Sequence, residues 1–172
     1  MGDSNKNKIE ALRLAILFVL LLLSYVFLTT PFTYFKAASP DFLMVFVIGV
    51  ALFENPLIAG IFGFLGGLLK DVASVSILGF NAFVYLVWAV LISVAVALLV
   101  RRNFINSLVV CGVSCLALKS FYYFIYNVLF EKGGRIALFY RSVLPSALLS
   151  LLIFPLTYYV LLFINKKFGK VE

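Results

Sequence analysis

Few residues in this chain could do chemistry, and their spacing argues against a reactive site. The 172 residues include no histidine. That removes the usual general base, the Ser/His/Asp arrangement and the commonest metal ligand together. Cys111 and Cys115 stand one helical turn apart in an apolar run, without zinc spacing or partner ligands, and read as small core-filling residues. The glycines Gly60, Gly63, Gly66 and Gly67 make a poor nucleotide fingerprint, because no strand–helix–strand context surrounds them. There is no phosphate loop, no metal cluster and no close carboxylate pair within one predicted helix. The sequence therefore calls for no cofactor and no metal. What remains is a set of isolated charges beside or inside apolar stretches: Asp41, Glu54, Lys70, Asp71 and Lys119.

The elements that must position these charges are membrane helices. The chain is 65% hydrophobic and 12% charged, with a mean hydropathy of +1.16. Soluble domains are about half apolar and about a quarter charged. A span takes about 20 residues, so one domain of six short spans uses nearly the whole chain. The expected spans are 11–30, 41–53, 57–69, 77–100, 104–130 and 143–164. The first is no signal peptide, because its apolar core is too long, no A-x-A site follows and further spans come after it. Ile136 to Arg141 reads as a stretch along the interface, and Pro155 as a kink in the last span. The interruption Glu54-Asn55-Pro56 leaves two options for residues 41–69: two short spans, or a re-entrant hairpin. A single fused span is rejected, because it would put those three residues at mid-bilayer.

The net charge of +7 comes from basic residues that flank apolar runs. It is a topology signal and an attraction to anionic membrane lipid rather than a nucleic-acid surface. With six crossings, Lys6, Lys8, Arg13, Arg101, Arg102, Lys166, Lys167 and Lys170 share one side, against Lys36, Lys70, Lys132, Arg135 and Arg141 on the other. Eight against five places both termini in the cytoplasm.

A charge at mid-bilayer costs about 2.5–3.5 kcal/mol on insertion scales, so each one requires a reason. Lys119 lies deepest. It reads either as an ion-pair or substrate contact inside the bundle, or as a lysine snorkelling to the interface within an aromatic belt of Phe121, Tyr122, Tyr123, Phe124 and Tyr126. Asp71 reads as an acceptor for backbone N–H groups of the following turn, or as a contact to a partner protein. Pro40-Asp41 looks like a helix start, with Asp41 in the first turn. Glu54-Asn55-Pro56 reads as a tight turn. Asn81, one turn into its span, is placed to bond across helices.

The stretch from Ala59 to Gly79, AGIFGFLGGLLKDVASVSILG, organises the rest. Ala59, Gly63 and Gly67 fall four apart, with Gly60 and Gly66 beside them. Lipid tails solvate leucine as well as another helix does, so membrane helices associate by close backbone approach at small residues. These five positions read as a packing face and as a docking flank for a partner.

Residues 63–85, GFLGGLLKDVASVSILGFNAFVY, resemble the rod-shape-determining MreD family. The likeness rests on Gly67, Leu68, Leu69 and Asp71, then Leu78, Gly79, Asn81, Ala82 and Tyr85. Pro40-Asp41, Leu144-Pro145-Ser146-Ala147, Pro155, Leu156, Tyr158 and a basic tail are similar too. Lys119 and its aromatic neighbours fall outside the pattern. The resemblance implies a non-enzymatic scaffold or adaptor of the bacterial cell-elongation machinery, in the inner membrane. Its partners would be an MreC-like single-span protein, with RodA, a penicillin-binding transpeptidase and the MreB filament. The implied fold is all-α, a six-helix transmembrane bundle similar to the substrate-binding subunits of energy-coupling-factor transporters. The competing function is such a vitamin-binding subunit, with Ala11 and Ala15 as a coupling face and Tyr122, Tyr123 and Tyr126 stacking on a ring. An intramembrane enzyme or channel has only Lys119 in its favour.

Overall fold

The computed structural model describes residues 2–29, 41–74, 78–99, 103–129 and 136–168. They form six helices: α1 (Gly2–Thr29), α2 (Phe42–Phe53), α3 (Pro56–Ser74), α4 (Phe80–Leu99), α5 (Phe104–Leu129) and α6 (Ile136–Phe168). All but α2 are long and apolar enough to cross a bilayer. In hydrocarbon every backbone polar group must find its partner within the protein, and a helix does this within one segment. The chain is thus an all-helical, multi-pass membrane protein.

The short helix α2 forms the axis of the bundle. Its 12 residues rise about 18 Å, well short of a hydrocarbon core of about 30 Å. Leu43 to Leu52 are all buried, and α1, α3, α4, α5 and α6 all pack on α2. The sequence is apolar all round, as a helix wrapped on every side must be. Residues 41–69 hold two helices joined by a two-residue turn: the buried, half-length α2 and most of the full-length α3.

The remaining helices follow local signals, with corrections at their ends. Asp41 is the N-cap of α2, one position before the first turn expected of it; its Oδ1 accepts the Met44 N–H at 3.1 Å. Pro56 opens α3, where a missing N–H costs nothing. That helix runs on to Ser74 instead of stopping at Leu69, taking Lys70 and Asp71 into its last turns. Gly79, at φ +95°, makes the turn into α4. In α6 the expected interfacial stretch is continuous with the last span, and both Pro145 and Pro155 lie inside the helix.

The helices alternate in direction. Phe27 near the end of α1 stacks on Phe42 at the start of α2, centroids 5.4 Å apart. At the opposite end Phe53 and Phe104 both pack on Tyr158, at 5.3 and 5.2 Å. The first half of α1 and the last turns of α6 lie at that second end, where Arg13 reaches Glu54 and Asn165.

Candidate functional site

Each end of α2 carries a carboxylate, and each carboxylate is held by a cation from another helix. At the start of α2, the Lys70 ammonium donates to Asp41 Oδ2 at 2.5 Å and to the Tyr85 hydroxyl at 2.6 Å. Tyr85 in turn donates to the same Asp41 oxygen at 3.3 Å. The ammonium also lies 4.9 Å from the Tyr85 ring centroid and 5.1 Å from that of Tyr122, within cation–π range. The Asp41 N–H donates to Ser150 Oγ at 3.1 Å, and Ser150 donates to the Ser146 carbonyl at 2.8 Å. One cluster therefore ties α2 to α3, α4, α5 and α6.

At the other end, Arg13 Nη2 donates to Glu54 Oε2 at 3.0 Å. Ser93 of α4 donates to the Glu54 carbonyl at 2.7 Å. Glu54 is only 7% exposed. The expected tight turn is present between α2 and α3, and its glutamate also serves as a buried anchor. A carboxylate that far from water is tolerable only with a charge partner and satisfied lone pairs.

Beside the first cluster lies a second carboxylate with another task. Asp71 is 1% exposed. Its Oδ2 accepts the N–H groups of Gly79 (2.9 Å) and Ala82 (3.3 Å); its Oδ1 accepts the Asn81 N–H (3.1 Å) and side-chain amide (2.7 Å). These are the orphan donors at the N-terminus of α4. A charge on the neighbouring helix thus does what a local capping residue does elsewhere.

The glycines explain why α3 and α4 come that close. A Cβ at Gly67 would stand 2.4 Å from Ala82 Cα and from the Asn81 carbonyl oxygen; one at Gly63 would stand 2.6 Å from the Tyr85 oxygen. A Cβ at Gly66 would meet Val47 of α2 at 2.7 Å, and one at Gly60 would meet Val90 at 3.0 Å. Ala59 is fully buried. Of the flank formed by Ala59, Gly60, Gly63, Gly66 and Gly67, the positions Gly63, Gly66 and Gly67 are taken up by α4 and α2 and Ala59 is buried. Gly60 packs beside Val90 and also lines an apolar groove open on the outer side of the two helices.

A family model described as rod shape-determining protein MreD matches residues 6–167. The chain belongs to the MreD family. Its role is accordingly in rod shape determination. No curated protein and no solved structure matches the chain.

The positions on which the MreD resemblance rests converge in space. Gly67, Asp71, Gly79, Asn81 and Ala82 form one joint between α3 and α4, and Tyr85 links that joint to Asp41. Pro40 lies outside the described residues. The resemblance singled out Asp41 and Asp71 without their partners. The partnership of Lys70 with Asp41, and of Arg13 with Glu54, was missed, as were the roles of Ser93 and Ser150. Connectivity held the missing signal. In an alternating bundle, the start of α2 and the end of α3 share one end, and the start of α1 and the end of α2 share the other. Cys111 and Cys115 are fully buried, Sγ to Sγ 4.0 Å. Lys119 is half-buried on α5, on the face of Cys115 and Tyr122. Among the described residues, no group of three or more His, Cys, Asp or Glu could hold a metal.

Proposed function

We propose that the protein is a non-enzymatic scaffold of the bacterial cell-elongation machinery. It would sit in the inner membrane with both termini cytoplasmic and help direct lateral peptidoglycan synthesis. Membership of the MreD family carries this reading. The site geometry supports it: the described polar groups at the two ends of α2 bond chiefly to one another and to backbone, an arrangement that fixes helices rather than one that meets a substrate. A single-span partner of the MreC kind would dock on the outer side of α3. There an apolar groove runs between α3 and α4, lined by Leu57, Gly60, Ile61, Phe64, Leu86 and Val90. Leu57 is 73% exposed and Ile61 50%. RodA, a penicillin-binding transpeptidase and the MreB filament would join through or beside that partner. The vitamin-transporter reading has less support, because Tyr122 already packs against Lys70 and Phe80.

Co-expression with an MreC-like protein, followed by detergent co-purification, tests the proposal. The expected result is a stable complex with the native chain and a weakened one with Ile61→Trp, which fills the groove. A chain that purifies alone with such partners present would overturn it.

A further inference from the structure

Lys119 is a charge inside a span that neither the two carboxylate–cation pairs at the ends of α2 nor the proposed scaffold role uses. It stands 15 residues into α5, and Lys70 stands 14 residues into α3. At 1.5 Å per residue both ammonium-bearing residues lie about 21–22 Å from the Glu54 end. The starts of α3 and α5 share a level there, since Phe53 and Phe104 both pack on Tyr158. With the Glu54 end set at one interface of a hydrocarbon core of about 30 Å, the two lysines stand about 8 Å below the opposite interface, within snorkelling reach of it. They also stand close to each other. Lys119 is one turn from Tyr122, whose ring lies 5.1 Å from the Lys70 ammonium, and Lys119 interacts electrostatically with both Asp41 and Lys70.

The nearby acceptors are already in use. Asp41 gives one oxygen to the α2 cap and the other to Lys70 and Tyr85. Both oxygens of Asp71 face the N-terminus of α4. No hydrogen bond links Lys119 to any acceptor among the described residues. A half-buried ammonium at this depth is stabilised by an anion of its own, and Lys70 has a third N–H to contribute beyond its bonds to Asp41 and Tyr85. We infer that Lys119 and Lys70 flank a site, between α5 and the start of α2, for a phosphate-bearing anion. The depth suits the headgroup of an anionic phospholipid reaching down from the interface. The inference requires the membrane fold only and is independent of partner docking.

Native mass spectrometry of the full chain, purified from bilayers of phosphatidylcholine with a minority of phosphatidylglycerol, tests the site. The native chain should retain phosphatidylglycerol above its share of the mixture. Lys119→Gln should retain it about tenfold less, Lys119→Arg should keep it, and Lys166→Gln at the far end should match the native chain. Circular dichroism of each variant confirms that the fold persists. Retention that survives excess inorganic phosphate supports the site with a lipid as ligand; displacement by inorganic phosphate supports it with the free anion. Equal retention by the native chain and folded Lys119→Gln, or no preference for phosphatidylglycerol, overturns the inference.

Discussion

Substituting Gly67 by alanine tests the close approach of α3 and α4 most directly. The added Cβ would lie 2.4 Å from Ala82 Cα, 2.4 Å from the Asn81 oxygen and 2.6 Å from the Ala82 nitrogen, all backbone atoms. Ordinary contact needs about 1 Å more, and no rotamer change can supply it. The two helices must separate, and the Asp71 bonds to Asn81 and Ala82 stretch with them. Overpacking of this kind costs about 1–3 kcal/mol, and weakened charge-assisted bonds add about 1–2 kcal/mol. Alanine returns up to about 1 kcal/mol of helix propensity. The net loss should be about 2–3 kcal/mol, close to a hundredfold in the unfolding constant. The comparison set makes this sharp. Gly60→Ala meets only the tip of Val90 at 3.0 Å, and Gly112→Ala meets Leu151 at an ordinary 3.5 Å. Unfolding by SDS titration from mild-detergent micelles should rank Gly67→Ala as least stable, then Gly63→Ala, then Gly60→Ala, with Gly112→Ala at or above the native chain. If Gly67→Ala unfolds together with Gly112→Ala, the backbone contact between α3 and α4 is not what holds this joint.

Asp41→Ala strands the Lys70 ammonium and removes the α2 cap. It should cost about 3–5 kcal/mol, whereas Asp41→Asn combined with Lys70→Met should recover a large part of that loss in the same titration. Asp71→Asn replaces one of two acceptor oxygens by an NH₂ group facing the α4 donors, and should lower stability by about 1.5–3 kcal/mol; amide exchange at Gly79 to Ala82 should quicken, and unchanged exchange would count against the capping role. Glu54→Ala leaves Arg13 facing a buried gap. Thermal aggregation should begin earlier in that variant, while Arg13→Lys, which keeps a cation, should shift it less.

The charges were legible singly and illegible in pairs. Composition alone gives helices in a membrane, because soluble domains carry about twice this share of charged residues and far fewer apolar ones. The glycine spacing shows that α3 has a close neighbour, but small residues look alike whether a partner or the same chain fills the notch. In this fold α4 and α2 fill it. Lys70 and Asp71 read as the end of a helix because an unpaired charge is costly in lipid. The helix continues because Asp41 and the α4 N-terminus satisfy them. Glu54 read only as part of a tight turn, since its partner Arg13 is 41 positions away. The half-length of α2 was visible, but its place on the axis was not, because a sequence apolar on all sides says only that a helix is covered.

The axis of the bundle is sealed only by its last helix. Its second helix is too short to cross a bilayer unaided, so after leaving the ribosome it has no independent resting place in lipid. The sixth helix, synthesised last, brings Ser150 to one end of that segment and Asn165 to the pair at the other. Until that final helix arrives, one side of the short segment is uncovered. A chain interrupted before residue 136 would lack the piece that seals its own axis.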